Sequence, residues 1–358
     1  MEENNCHSSK IQKIYNMSDT QNNDEIEEQP PVNLPEGLQV QMQGFEEELS
    51  RTVGNDIAAI TRELSRYLPL NNLVGFTVAW NYHETLANID RGIDGAIPAT
   101  ATNDEELGEG IAMALPVVRD GMIKTHIVLG PHIVGLIASE NELERDQGYK
   151  LVVHELAHAA DHAAKQQALG LIYTQQPHEL IPDPKELYIW ELSHCIWDEY
   201  YASRVSAPFA EEEEPFEDEL FSNAYITFRD RLREARRDYH WGRISLDEFL
   251  QVLAYNLRIV LLSAGYLFGL LDAKESEMAE IAPRSASLFD EPEGQMISRF
   301  HPVLLDIWER RGEWDSFDEF LALNRPAENM LNDLDCYLST TNDNQVYIDI
   351  PARIEHVS

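Results

Sequence analysis

The sequence predicts an α+β fold: a small sheet joined to one long helix, followed by a mainly helical C-terminal region. Three observations predict it. Short β-branched and apolar runs fall between residues 73 and 137. Apolar residues recur at three- and four-residue steps on either side of that stretch. Helix-start signals stand at Ser139/Glu142, Asp183-Pro184 and Ser245/Glu248. A chain of 358 residues with 43% hydrophobic content can bury a substantial core as one large or two smaller domains.

Residues 1–35 are polar and acidic and close on Gln29 to Pro35, the composition of a disordered arm. Met42, Phe45, Leu49, Val53, Ile57, Ile60, Leu64 and Leu68 then predict an amphipathic helix halted by Pro69. Leu73 to Trp80 reads as a strand. Ile111 to Val118, an Arg119-Asp120-Gly121-Met122 turn, and Ile123 to Leu129 read as a hairpin. Ile133 to Ile137 reads as strand or buried connection. Ser139 with Glu142 suggests a capping box for a helix from about Asn141 to Leu169. Asp183 as N-cap with Pro184 behind it opens a helix with its body from Lys185 to about Ser206. Residues 211–219 hold seven acids in nine positions and suggest an exposed linker. Ala224 to Tyr239 is a charged amphipathic helix, and Ser245/Glu248 caps a long one ending near Leu271. The apolar end of that helix, Ile259 to Leu271, is too short to span a bilayer and reads as buried. Pro283 to Gly294 reads as a loop, with short helices at Val303 to Arg310 and Ser316 to Leu323.

The chemistry concentrates in His154-Glu155-Leu156-Ala157-His158, inside the second of these helices. Histidines four apart leave one helical face together and can bind one metal ion, with the intervening glutamate set to handle the proton of a water. A catalytic zinc site needs a third protein ligand and an open position. Glu199 is the favoured donor, with small Ala202 one turn beyond to permit close helix approach. Glu191, Asp161, Asp198, His162 and His194 are the alternatives.

With these residues the chain resembles a zincin metallopeptidase of the gluzincin type, in which two motif histidines and a glutamate from a later helix hold the metal. The resemblance covers about residues 70–206. It implies Zn²⁺ as cofactor, His154, His158 and Glu199 as ligands, and Glu155 as general base for hydrolysis of a protein or peptide substrate. Many gluzincins carry an aspartate four residues after the ligand glutamate. Here that position is Ser203, which moves the ligand-orienting role elsewhere, to Asp161 or Asp198. For the oxyanion donor Tyr200, Tyr201, His194 and His240 are all chemically able, with Tyr201 or Tyr200 favoured for adjoining Glu199. The implied organisation is a zincin-like catalytic domain over 36–210, an acidic linker over 211–219, a helical region over 220–340 and a tail over 341–358. The competing reading is a binding or regulatory protein, with or without zinc, whose helical half recognises a partner.

A net charge of −37 repels nucleic-acid phosphates and anionic lipid, so neither nucleic acid nor membrane is an expected partner. Cys6, Cys195 and Cys336 follow no metal or disulfide spacing, and the first thirty residues lack the apolar core of a signal peptide. Both point to a reducing, cytoplasmic setting. Oligomeric state is not legible.

Overall fold

A computed structural model describes residues 30–93, 95–101, 103–104, 108–169, 177–210 and 215–351. The strands are β1 (Gln39–Gln43), β2 (Leu73–Ala79), β3 (Asn103–Asp104), β4 (Gly108–Glu109), β5 (Ala112–Arg119), β6 (Met122–Leu129), β7 (Tyr337–Thr340) and β8 (Val346–Asp349). The helices of the first half are α1 (Glu47–Leu64), α2 (Tyr82–Asn88), α3 (Pro131–Ile137) and α4 (Glu142–Leu169). Those of the middle are α5 (Pro177–Leu180), α6 (Pro184–Ser193), α7 (Cys195–Ser206), α8 (Phe216–His240) and α9 (Leu246–Lys274). Six further short helices among the described residues are α10 (Met278–Ile281), α11 (Pro283–Ala286), α12 (Pro292–Ser298), α13 (His301–Glu309), α14 (Asp318–Leu321) and α15 (Asn324–Asp333). The fold is α+β, with a small mixed sheet and a mostly helical C-terminal half. Two compact units interleave along the chain, residues 1–167 with 201–213 and residues 168–200 with 214–358, so that the division passes through α7. The expected disordered arm lies almost wholly outside the described residues, as do the end of the C-terminal tail and the first four acids of the expected linker.

In the first unit the sheet order is β1-β2-β6-β5, with β1, β2 and β6 parallel and β5 antiparallel at the edge. Met42, expected in a helix, lies in β1 instead, because Gln39–Gln43 finds a parallel partner in β2. The amphipathic helix starts at Glu47 and buries Val53, Ile57, Ile60 and Leu64 as its periodicity requires. The β5–β6 hairpin closes on Asp120-Gly121, both with positive φ, the backbone of a two-residue turn that matches strand twist. Ile133–Ile137 is helical, with Pro131 pre-setting the first turn.

Helix α4 begins at Glu142 as expected, through a different cap. The Asn141 side chain accepts from the Leu143 N–H at 3.0 Å, while the Ser139 hydroxyl donates to Glu144 rather than pairing with Glu142. Its direction is fixed by three contacts. Asn72 Nδ2 donates to Gln166 Oε1 at 2.7 Å and Thr125 Oγ1 lies 3.2 Å from His162 Nδ1, both at the start of the parallel strands. Gly148, near the other end, lies against Leu136 and Ile137 of α3, which follows β6. So α4 runs antiparallel to β6.

In the second unit α8 and α9 form a helical hairpin, and the Ser245/Glu248 capping box that opens α9 is complete. By length and hydropathy α9 could cross a membrane, but 67% of its apolar window is buried inside the protein. The acidic run does not remain a linker: Phe216 opens α8, and Glu217 and Asp218 are buried. The Asp218 carboxylate accepts from the backbone N–H groups of Arg284 and Ser285, capping α11 within the expected 283–294 loop. The helix expected over 185–206 is broken in two. Asp183 caps α6 through the Lys185 and Glu186 N–H groups as anticipated. The Ser193 hydroxyl then bonds back to the Ile189 carbonyl, and His194 Nδ1 lies 3.0 Å from the Trp190 carbonyl oxygen. Such side-chain competition for the backbone bends a helix, and α7 restarts at Cys195.

Candidate metal centre

His154 and His158 leave the same face of α4, and α7 contributes Glu199 from its second turn. One ligand atom from each of these three residues lies within 4.8 Å of the other two. The two Nε2 atoms stand 3.1 Å apart with their rings nearly perpendicular. Nitrogens bound at about 2.05 Å to a tetrahedral zinc are about 3.3 Å apart, so the pair is spaced as two ligands of one ion. Two imidazoles and a carboxylate are a donor set that zinc accepts. All three side chains are half-buried, and Glu155 between the histidines is buried. The structure therefore brings together the three residues expected to hold a metal.

The packing of α7 on α9 depends on a residue that sequence reasoning missed. A Cβ at Gly265 of α9 would stand 2.5 Å from the Ile196 carbonyl oxygen, 3.1 Å from Glu199 Cβ and 3.1 Å from the Tyr200 nitrogen. Only glycine lets these helices pack so closely. A glycine inside an apolar helix is a weak signal of close packing, and nothing in its spacing links it to Glu199.

Several of the other candidates have partners elsewhere. Asp161 forms a buried ion pair with Lys165 at 2.7 Å, both side chains at most 4% exposed. His162 meets Thr125, and His194 stacks on Trp190 at 4.3 Å. Glu191 is exposed. The Tyr200 hydroxyl donates to Asp272, whose other oxygen is 2.9 Å from His301 Nε2. Tyr201 is buried. A residue not anticipated at all is Tyr82, at the start of α2 against Gly130. Its hydroxyl is buried with no hydrogen-bond partner among the described residues. Burial, then the charge of Glu155, pushes its pKa well above the usual tyrosine range, so it stays a donor. Cys195 and Cys336 are buried thiols pushed up to about 12 and about 11, mainly by desolvation, and are poor nucleophiles.

His162, one turn beyond His158 on α4, meets β6 at Thr125. From His162, opposite Thr125, His158 lies about 6 Å and His154 about 12 Å back along the helix. Two and four residues along β6 cover about 7 and 13 Å, reaching Ile127 and Leu129. Their partners in the register are Ala114 and Ala112, so by this count along the strand axis His158 and His154 stand at about the level of the start of the edge strand β5. Strand alternation turns the backbone groups of Ala112, Ala114, Pro116 and Val118 outward, since the Gly130 N–H bonds to the Ile111 carbonyl.

Comparison with protein-family models, curated proteins and solved structures finds no match to this chain.

Proposed function

We propose that this protein is a zinc-dependent hydrolase of peptide bonds, with His154, His158 and Glu199 as metal ligands and Glu155 as general base. The observation that carries the reading is the convergence of Glu199 on the two motif histidines, which no local feature of the sequence requires. A zinc ion there, when bound, supplies Lewis-acid polarisation of a carbonyl and acidification of a water. The chain supplies the rest. Edge strand β5 offers outward N–H and C=O groups to an extended peptide beside the site. Glu155 accepts a proton from water as the water oxygen bonds to the carbonyl carbon, then delivers it to the nitrogen as the C–N bond breaks. Tyr82, a buried donor carrying the influence of Glu155, fits the oxyanion role better than Tyr200, whose hydroxyl serves Asp272.

The test is metal content together with hydrolysis. The wild type should take up about one zinc per chain, and His154→Ala or His158→Ala should lose it. Glu155→Gln should keep zinc and lose at least about 10²-fold in peptide cleavage, because an amide cannot accept the proton. Failure to bind zinc after reconstitution refutes the metal reading. Stoichiometric zinc with no cleavage of any peptide favours a binding or regulatory protein instead.

A further inference from the structure

The outer edge of β5 is not open along its whole length. The Val118 N–H donates to the Arg91 carbonyl at 2.7 Å, and Arg91 Nε donates to the Pro116 carbonyl at 3.2 Å. Arg119 ties the same segment down, giving Nη2 to the Asp90 carbonyl at 2.6 Å and Nη1 to the Val118 carbonyl at 2.8 Å. Gly92, held at φ +62° with its N–H on the Asp90 carboxylate, lies so close that a Cβ would stand 2.3 Å from the Val118 oxygen. Residues 90–92 thus form a strap that occupies the edge at Pro116 and Val118. Among the described residues, no backbone hydrogen bond engages the outward groups of Ala112 and Ala114. Those two residues are the ones at about the level of the histidines.

We propose that the strap ends the peptide-binding edge, so that the site takes substrates by their N-terminal segments and cuts close to a chain start. This rests on the hydrolase reading above. An extended peptide pairs with an edge strand more stably in the antiparallel sense. Laid antiparallel on β5, its N-terminal side points toward Pro116 and Val118, where Arg91 and Gly92 already stand. The open edge from Ala112 to Ala114 is two strand rises, about 7 Å, long, so at most about two residues fit on that side. Its C-terminal side leaves past Ala112, away from the strap. The substrate class is therefore a peptide or protein with a short, unpaired N terminus rather than an internal loop.

The experiment uses the zinc-loaded full chain and a degenerate peptide library, with cleavage positions mapped by mass spectrometry and counted from the N terminus. Cuts should cluster within about the first two residues. Extending a cleaved peptide at its N terminus should lower kcat/KM at least about tenfold, the loss expected when edge hydrogen bonds cannot form, while C-terminal extension changes little. Arg91→Ala with Gly92→Ala should lift the strap and restore cleavage of the extended peptides. Because the ladder is read on the wild type, the inference stands or falls even if that variant folds poorly. Cuts spread evenly along the library, or clustered at the C terminus, overturn the strap inference while leaving the hydrolase intact. A zinc-loaded protein that cleaves no peptide of any length overturns the hydrolase reading and this inference with it.

Discussion

Replacing Gly265 by alanine should disturb the metal centre through α7. The added Cβ would stand 2.5 Å from a carbonyl oxygen whose ordinary contact begins at 3.4 Å, so α7 and α9 must separate by about 0.9 Å. The obstructing atoms are backbone, Ile196 O and Tyr200 N, and cannot rotate away. Overpacking of this kind costs about 1–3 kcal/mol. The same displacement carries Glu199 several times further than the roughly 0.2 Å that metal–ligand distances tolerate. Zinc affinity should therefore fall by about 10–100-fold, the range for loss of a ligand-orienting neighbour. Competition with a chromophoric chelator measures the affinity, and thermal melting of the metal-free protein measures the packing cost separately. Gly135→Ala is the control: it too is helical, but no atom lies within 4 Å of its added Cβ. If Gly265→Ala lowers the melting temperature while zinc affinity stays within about twofold of wild type, α9 does not position Glu199 and the reasoning fails.

Two further outcomes follow from buried charges in the first unit. His126, beside Thr77 Oγ1 at 2.9 Å, is lowered to about 4 by burial and then by Arg119. The unfolded chain therefore binds this proton near pH 6.5 and the folded one does not, so its contribution is intact above pH 6.5 and is lost as pH falls toward 4. The full loss is at most about 3 kcal/mol. Chemical denaturation from pH 7 to 4 should show His126→Gln losing less stability than wild type, and parallel profiles would contradict the assignment. Lys165→Met removes the cation paired with the buried Asp161 carboxylate and should cost up to about 3–5 kcal/mol. Restoring a neutral pair with Asp161→Asn in the same chain should recover part of it, and a double variant no better than the single would show that the pair is not coupled.

The sequence by itself determined whatever depends on neighbours a few residues away. Four helical positions turn the chain a little more than once, so His154 and His158 had to share a face wherever α4 went. Asp183, the Ser245/Glu248 box and the Asp120-Gly121 turn act on backbone groups within three residues, and each does what its chemistry predicts. Tertiary structure decided the rest. Met42 joined a strand because a parallel partner lay thirty-six residues onward in Val78. The buried Asp218 caps a helix sixty-six residues away, so its acidity was misread as a solvated linker. Glu199 could be proposed from its helix, but that its carboxylate comes within 4.8 Å of the histidine nitrogens, and that α7 packs on α9 through Gly265, are set by contacts between distant segments. The strap on β5 likewise pairs Arg91 with Val118 through backbone atoms, which every residue carries, so side-chain pattern cannot announce it. Local periodicity and capping are written in the order of residues; which distant surfaces meet is settled only when the whole core packs.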